Sequence, residues 1–236
     1  MRIVTWNIRQ GSSVNHSEAM AKCLDSIAPD VIILTEFQEK TLKGLAPALV
    51  SLGFGSGLFS GASGRQNGLF VCGKIPLTLR EPALAVAAPQ RALHVNLADT
   101  GLALLAVHIP GSDDKQFDKA AFWDAIVSAC GAKDTAPDII MGDFNTGLAA
   151  DFQGEPFSCA DRMQALLGMG WCDAWREMHG EATEFTWYSS KGNGFRLDHC
   201  FLRRTLAHKL HRAEYSHRER EAKLSDHSLL VVDIAL

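Results

Sequence analysis

Short polar clusters set beside apolar, β-branched runs constrain this chain more than any other feature. They are Thr5-Trp6-Asn7 after Ile3-Val4, Leu34-Thr35-Glu36 after Val31-Ile32-Ile33, Gly142-Asp143-Phe144-Asn145 after Ile139-Ile140-Met141, and Ser225-Asp226-His227 beside Leu229–Val232. Runs of this kind read as buried strands, and buried strands exclude carboxylates, because an unpaired buried charge costs on the order of several kcal/mol. One acidic residue at a strand end would be unremarkable. Four or five brought together from distant segments point to an oxygen-lined cation site that supplies the missing positive charge.

Between the clusters the pattern alternates. Residues 2–8 and 30–35 are expected as buried strands, with helical spacing from Ser17 to Ile27 ended by Pro29 and a second helix over Glu39–Leu52. The glycine-rich stretch Gly53–Gly68 reads as a loop. Strands recur at Leu69–Cys72, Leu93–Leu97 and Leu102–His108. A helix follows over Lys115–Cys130, offering Phe117, Ala120, Ala121, Trp123 and Val127 to one face. Then come a strand at Asp138–Met141, a helix at Asp161–Leu167, and strands at Thr186–Tyr188, Leu197–Leu202 and Leu229–Ile234. No internal repeat, low-complexity tract or linker divides the chain, so residues 1–236 are expected as one α/β domain of two packed sheets with helices outside.

Composition narrows the class. With 47% apolar residues the chain can build a substantial single core, and the formal charge of −4 gives no global basic field. That argues against a tight DNA binder, but not against an enzyme whose cation supplies positive charge locally. The six cysteines (Cys23, Cys72, Cys130, Cys159, Cys172, Cys200) show no CxxC spacing and read as core thiols of a reducing compartment. Strand-like sequence from Arg2 leaves no room for a signal peptide, and no apolar run approaches the roughly eighteen residues of a membrane span. A cytoplasmic location is expected.

In chain order, TWN, TE, AVHIP (Ala106–Pro110), GDFN, FTWYS (Phe185–Ser189), RLDH (Arg196–His199) and SDHS (Ser225–Ser228) resemble the endonuclease/exonuclease/phosphatase superfamily, the fold of exonuclease III and deoxyribonuclease I. One tripeptide would carry little; the ordered set, spanning Ile3 to Ile234, is specific. The resemblance implies a four-layer α/β sandwich whose two mixed, mainly antiparallel sheets deliver these residues to one edge. Asp173–His199 looks most like the exonuclease III branch, where D-x-W/Y-R precedes T-W and then R-[IL]-D. Two positions depart from that branch: His108 stands where it has a tyrosine, and Arg9 where it usually has Asn or Asp.

Glu36 is the expected principal metal ligand, helped by Asn7 and by Asp226 through water. Oxygen donors without thiolates select Mg²⁺ or Mn²⁺ over zinc. Asp143 and Asn145 lie two apart, so in extended backbone they share a face. The resemblance assigns Asp143 to orienting and deprotonating the attacking water and Asn145 to positioning that water or the phosphate. Asp198 pairs with His227, fixing its tautomer and favouring its protonated form, which can hold a phosphate oxygen as charge builds up. His108 is expected to donate to the scissile phosphate or protonate the leaving oxygen. His16, His94, His179, His208, His211 and His217 have no comparable context.

For substrate contact, Arg9, Arg65, Asn67 and Arg91 lie near loops of the expected catalytic edge. Trp187 reads equally as a stacking platform and as core. Arg203–Lys223 holds seven Lys/Arg against three Glu, reading first as a solvated helix or loop face and second as a phosphate-tracking stretch. The whole points to a metal-dependent phosphodiester hydrolase acting on DNA at abasic sites or 3′ ends, as a monomer with no protein partner indicated. A phosphatase or phosphodiesterase for a small-molecule or lipid phosphoester, and a non-catalytic binding protein on the same scaffold, are the alternatives.

Overall fold

The structure, a computed structural model, describes residues 1–10, 14–81 and 83–236. Strand β1 (Arg2–Asn7) passes through helix α1 (Val14–Ile27) to β2 (Val31–Phe37), and helix α2 (Glu39–Ser51) leads to β3 (Ser56–Phe59), β4 (Gly68–Gly73) and β5 (Leu77–Leu79). Strands β6 (Ala92–Leu97) and β7 (Leu102–His108) are joined to β8 (Ile139–Asp143) by α3 (Lys119–Gly131). Helix α4 (Ala160–Gly168), β9 (Trp171–Asp173), α5 (Ala174–His179), the short hairpin β10 (Trp187–Tyr188) and β11 (Gly194–Phe195), and β12 (Asp198–Arg203) follow. Strand β13 (Leu210–Ser216), the single-turn α6 (Arg218–Glu221) and β14 (Leu229–Ile234) complete the domain.

Two six-stranded sheets result, ordered β13-β14-β1-β2-β4-β3 and β5-β6-β7-β8-β12-β9. Each has one parallel pair at its centre, β1/β2 and β7/β8, joined by a helical crossover and flanked by antiparallel strands. The two sheets therefore share one strand arrangement, a repeat with no counterpart in the sequence, although β6 runs directly into β7 while β14 and β1 are the last and first strands. Polar groups collect where the parallel strands end, the usual place for a site in sheets of this kind.

Side-chain parity builds the layers. Ile3, Val31, Ile33, Leu104, Ala106, Ile139, Met141, Cys200 and Leu202 point between the sheets. Val4, Trp6, Ile32 and Leu34 pack against α1 and α2, while Leu105, Val107, Ile140 and Phe201 pack against α3 and α4. The result is helix, sheet, sheet, helix. With a period of two, Asn7, His108, Asp143 and Asp198 continue the inter-sheet rows of β1, β7, β8 and β12, so all four reach one end of the central layer.

Several sequence expectations change. The stretch Gly53–Gly68 contains β3, an edge strand whose glycines hide the strand pattern, and the basic stretch after Arg203 contains edge strand β13. Charged residues on an edge strand face water and blunt edge-to-edge pairing. Helix α3 begins only at Lys119, because Asp118 caps it by accepting from the backbone N–H groups of Ala120 and Ala121. Its buried face is Lys119, Phe122, Trp123, Ile126 and Cys130, so Ala121 faces solvent instead. All six cysteines are free; Cys23 and Cys159 are half-buried and the others buried. Among the described residues, no helix is long and apolar enough to cross a membrane.

A buried ionic knot lies behind the start of β12. Arg196, 1% exposed, donates to Asp151 at 2.7 Å and to both oxygens of Asp173 at 3.2 and 2.7 Å, with its guanidinium 5.1 Å from the Trp175 ring centre. Arg176 adds a second guanidinium to Asp151. His199 Nδ1 lies 3.1 Å from Asp173, and the Tyr215 hydroxyl donates to the Asp198 carbonyl at 2.6 Å. Burial pushes the Asp173 carboxyl up, but the charge of Arg196 and the hydrogen bond with His199 outweigh it and hold the group well below the usual carboxylate range.

Candidate active site

Glu36 owes its position to a local break in β2. Alternation would send it toward the helices with Ile32 and Leu34, but the register against β4 shifts between Thr35 and Phe37, and Glu36 takes a left-handed φ of 53°. Phe37 fills the helix-side position, stacked on Phe70, and the Glu36 carboxylate turns to the Asn7 amide. Asn7 Nδ2 donates to Glu36 Oε1 at 3.2 Å and to Asp143 Oδ2 at 2.9 Å, while its Oδ1 accepts from the Arg9 backbone N–H at 2.9 Å.

Asp143 ends β8 one residue after Gly142. A Cβ on that glycine would lie 1.9 Å from the Val107 carbonyl oxygen of the adjacent parallel strand, so only glycine allows the approach. Asp143 Oδ1 accepts from the Asn145 backbone N–H at 3.0 Å, and Asn145, at φ 47°, donates its side-chain amide to the Ile109 carbonyl at 3.0 Å. Burial, with the neighbouring charge of Asp198, outweighs the cationic His227 and the hydrogen bonds from Asn7 and Asn145, so the Asp143 carboxyl is raised to about 7.

Opposite, His227 Nδ1 sits 2.9 Å from Asp198 Oδ2. Burial disfavours the imidazolium, but the charge and hydrogen bond of Asp198, with Asp143 and Asp226 nearby, raise His227 to about 10. Its ring is therefore cationic at neutral pH with Nδ1 occupied, and Nε2 remains the donor. His108 Nε2 lies 3.9 Å from Asp143 Oδ2. Burial, with the charges of Arg91 and His227, lowers His108 well below its ordinary value, so this second imidazole is neutral.

The remaining expected residues ring this centre. Asp226 accepts from Trp187 Nε1 at 3.2 Å and lies 3.7 Å from the Arg9 guanidinium. Gln38, just after Glu36, donates to the Asn67 side chain at 2.9 Å and to the Arg65 carbonyl at 2.8 Å, pinning that loop beside the site. Arg91 is tied to Asp114 at 2.7 Å and lies over the Phe117 ring. Trp187 is half-buried, its ring centre 6.4 Å from that of His227 and 5.7 Å from that of Phe195.

Asp143, Asp198 and His227 place potential ligand atoms within 4.8 Å of one another. A protonated imidazole cannot ligate, and the Asp198 bond holds His227 protonated, which leaves the carboxylates of this group as its available donors. The site nonetheless suits a cation. Its carboxylates Glu36, Asp143 and Asp198 face one imidazolium, and Asp198 Oδ1 is buried with no hydrogen-bond partner among the described residues.

Lys119 carries no mark of function in the sequence. It is buried on the first turn of α3, and its Nζ donates to the Asn145 carbonyl at 2.5 Å; Trp123 on the same helix donates to Thr146 Oγ at 3.0 Å. Together they fix the turn that carries Asn145. A lysine in a first helical turn looks solvated, and only the fold turns it inward.

Asp198 and His227 should act as one unit, because the carboxylate matters through the imidazole it orients. Each single alanine variant should lose much of the hydrolytic rate, and the double variant little more than the worse single; strongly additive losses would mean separate roles.

A model of the Endonuclease/Exonuclease/phosphatase family matches residues 4–227. No curated protein is matched by the chain. Among solved structures, an AP endonuclease from Archaeoglobus fulgidus is similar at TM-score 0.82 and 18% identity, and the 3′-5′ exonuclease NExo from Neisseria meningitidis at TM-score 0.82 and 22% identity. Both comparisons cover 100% of each chain. A Neisseria NExo structure described as a 3′ phosphatase bound to a product DNA hairpin is similar at TM-score 0.79 and 21% identity, again over 100% of both chains. At these identities the likeness establishes the fold.

Proposed function

The chain belongs to the endonuclease/exonuclease/phosphatase family, and from that premise we propose that it is a divalent-metal-dependent phosphodiester hydrolase acting on DNA at abasic sites or 3′ ends. The observation that carries this is the Asn7 amide bridging Glu36 and Asp143, set opposite the Asp198–His227 pair. Glu36 and Asn7 would hold Mg²⁺ or Mn²⁺, with Asp226 acting through water; hard oxygen donors without thiolates suit such ions. When bound, the ion supplies Lewis acidity toward a phosphate oxygen and acidifies water.

The chain's own groups do the rest. Asp143, pushed above the usual carboxylate range by burial, is placed to accept a proton from the attacking water. Asn145 and its turn orient that water and the phosphate. Cationic His227 donates from Nε2 to a non-bridging oxygen as negative charge grows. Neutral His108 donates one hydrogen bond to the same phosphate. His108 also keeps open a second reading, hydrolysis of a small phosphoester, since a histidine here departs from the exonuclease III branch and is more typical of deoxyribonuclease I and the phosphatases.

EDTA should silence turnover and Mg²⁺ or Mn²⁺ restore it, and Glu36→Ala should raise the metal concentration needed for half-maximal rate. Undiminished hydrolysis in EDTA would leave Glu36 as a structural carboxylate.

A further inference from the structure

We infer that Lys119 is a positioning residue for the hydrolysis, its buried ammonium setting the turn that presents Asp143 and Asn145 to water and phosphate. This deepens the hydrolase reading and rests on it. Lys119 is the first residue of α3 and 7% exposed, and its Nζ donates to the Asn145 carbonyl at 2.5 Å. The turn it reaches is strained. Asn145 holds a left-handed φ of 47°, its N–H donates to Asp143 Oδ1 at 3.0 Å, and its side-chain amide donates to the Ile109 carbonyl at 3.0 Å. The carbonyl is thus the third polar group of this residue to be tied. A non-glycine residue in such a conformation persists only where its surroundings enforce it, and strain of this kind collects at functional sites.

Stability does not explain why this tie is a cation. Taking an ammonium out of water is costly, and a positive charge in the first turn of a helix opposes the positive end of the helix dipole. Lys119 meets both penalties. Burial lowers it from its ordinary value, with Cys159, Asp143 and Asp113 opposing. The same helix already supplies a neutral tie to the same turn, Trp123 Nε1 donating to Thr146 Oγ at 3.0 Å. A second neutral donor would fasten the turn without either penalty.

Positions that break local rules in this way are where function is expected. What the ammonium adds is a firmer hold, since charge-assisted hydrogen bonds are roughly twice as strong as neutral ones. The beneficiaries are the two side chains on the turn. Asp143 takes the proton of the attacking water in the proposed reaction, and Asn145 orients that water. Lys119 bonds to the backbone of the turn, so it acts through these residues and does not contact the phosphate.

The test compares Lys119→Met and Lys119→Arg with the parent in steady-state hydrolysis of bis(p-nitrophenyl) phosphate with Mn²⁺, alongside a thermal melt of each protein. The methionine variant should lose about 10- to 100-fold in kcat, the scale on which a misplaced catalytic group costs rate. Its KM should be unchanged, because the lost interaction is not with substrate. Its Tm should match or exceed that of the parent, because a buried cation has been removed from a helix N-terminus. Lys119→Arg keeps the charge and the donors and should recover part of the rate. A methionine variant with the parent kcat, or a Tm that falls in step with kcat, would overturn the positioning role and leave Lys119 a dispensable or merely structural tie. A parent that hydrolyses no phosphodiester with Mg²⁺ or Mn²⁺ would instead overturn the hydrolase reading, and this role with it.

Discussion

Replacing Asp143 with asparagine should cost at least ~10²-fold in hydrolytic rate, the low end for a positioned base, with Tm within a few degrees of the parent. The substitution keeps the volume and removes the charge. Asp143 is 1% exposed and accepts from Asn7 and from the Asn145 backbone N–H, so asparagine can satisfy one of these donors and loses the other. Against that loss, a carboxylate raised by burial toward 7 is costly to ionise, and its removal relieves repulsion with Asp198. The two contributions oppose each other, so stability should hold while activity falls. Steady-state rates and a thermal melt on one preparation check both halves. A variant within a few-fold of the parent rate would remove Asp143 from nucleophile activation.

The second large effect is on stability. Arg196→Met should destabilise the protein by about 3–5 kcal/mol, because it leaves the Asp151 and Asp173 carboxylates buried without their shared partner. For a chain of this length that corresponds to a fall in Tm of roughly 6–20 °C. Adding Asp151→Asn and Asp173→Asn to the methionine variant should recover part of the loss, since the penalty comes from the stranded charges. Acid should narrow the gap. Asp173 is held below its ordinary value, so its stabilising contribution is complete above the unfolded value of about 3.9 and is lost as pH falls toward the folded one. Melts between pH 7 and pH 3 would show the parent losing its advantage below about pH 4. A methionine variant as stable as the parent at pH 7 would mean that the knot contributes nothing net.

The site residues at strand ends are legible in the sequence for a physical reason. A period of two fixes which side chains share a face, and burial makes a carboxylate at such a position conspicuous, so Asn7, Asp143 and Asp198 can be read from local pattern. Glu36 stands out as a polar residue inside an apolar run, but the bulge that aims it does not, because a one-residue register shift leaves no mark in composition. Lys119 is hidden because a lysine in a first helical turn looks solvated. The Asp151–Asp173–Arg196 knot is hidden because its members come from a 3₁₀ turn, the end of an edge strand and a loop, which only tertiary folding joins. In sequence, Asp173 and Arg196 look like markers of one nuclease branch. In the fold they brace the start of β12, which presents Asp198. Edge strands β3 and β13 are masked by glycine and by charge, residues that an exposed edge tolerates and a buried strand does not.

One activity panel separates the proposed metal-dependent hydrolysis of DNA phosphodiesters from its alternatives. Abasic duplex DNA, single-stranded DNA, an inositol phosphate and a generic phosphodiester are each incubated with the protein in Mg²⁺ and in EDTA. The expected result is cleavage of abasic duplex or trimming of DNA ends in Mg²⁺, abolished by EDTA and by Asp143→Asn. Turnover of the inositol phosphate with both DNA substrates left intact, or DNA cleavage undiminished in EDTA, would contradict it.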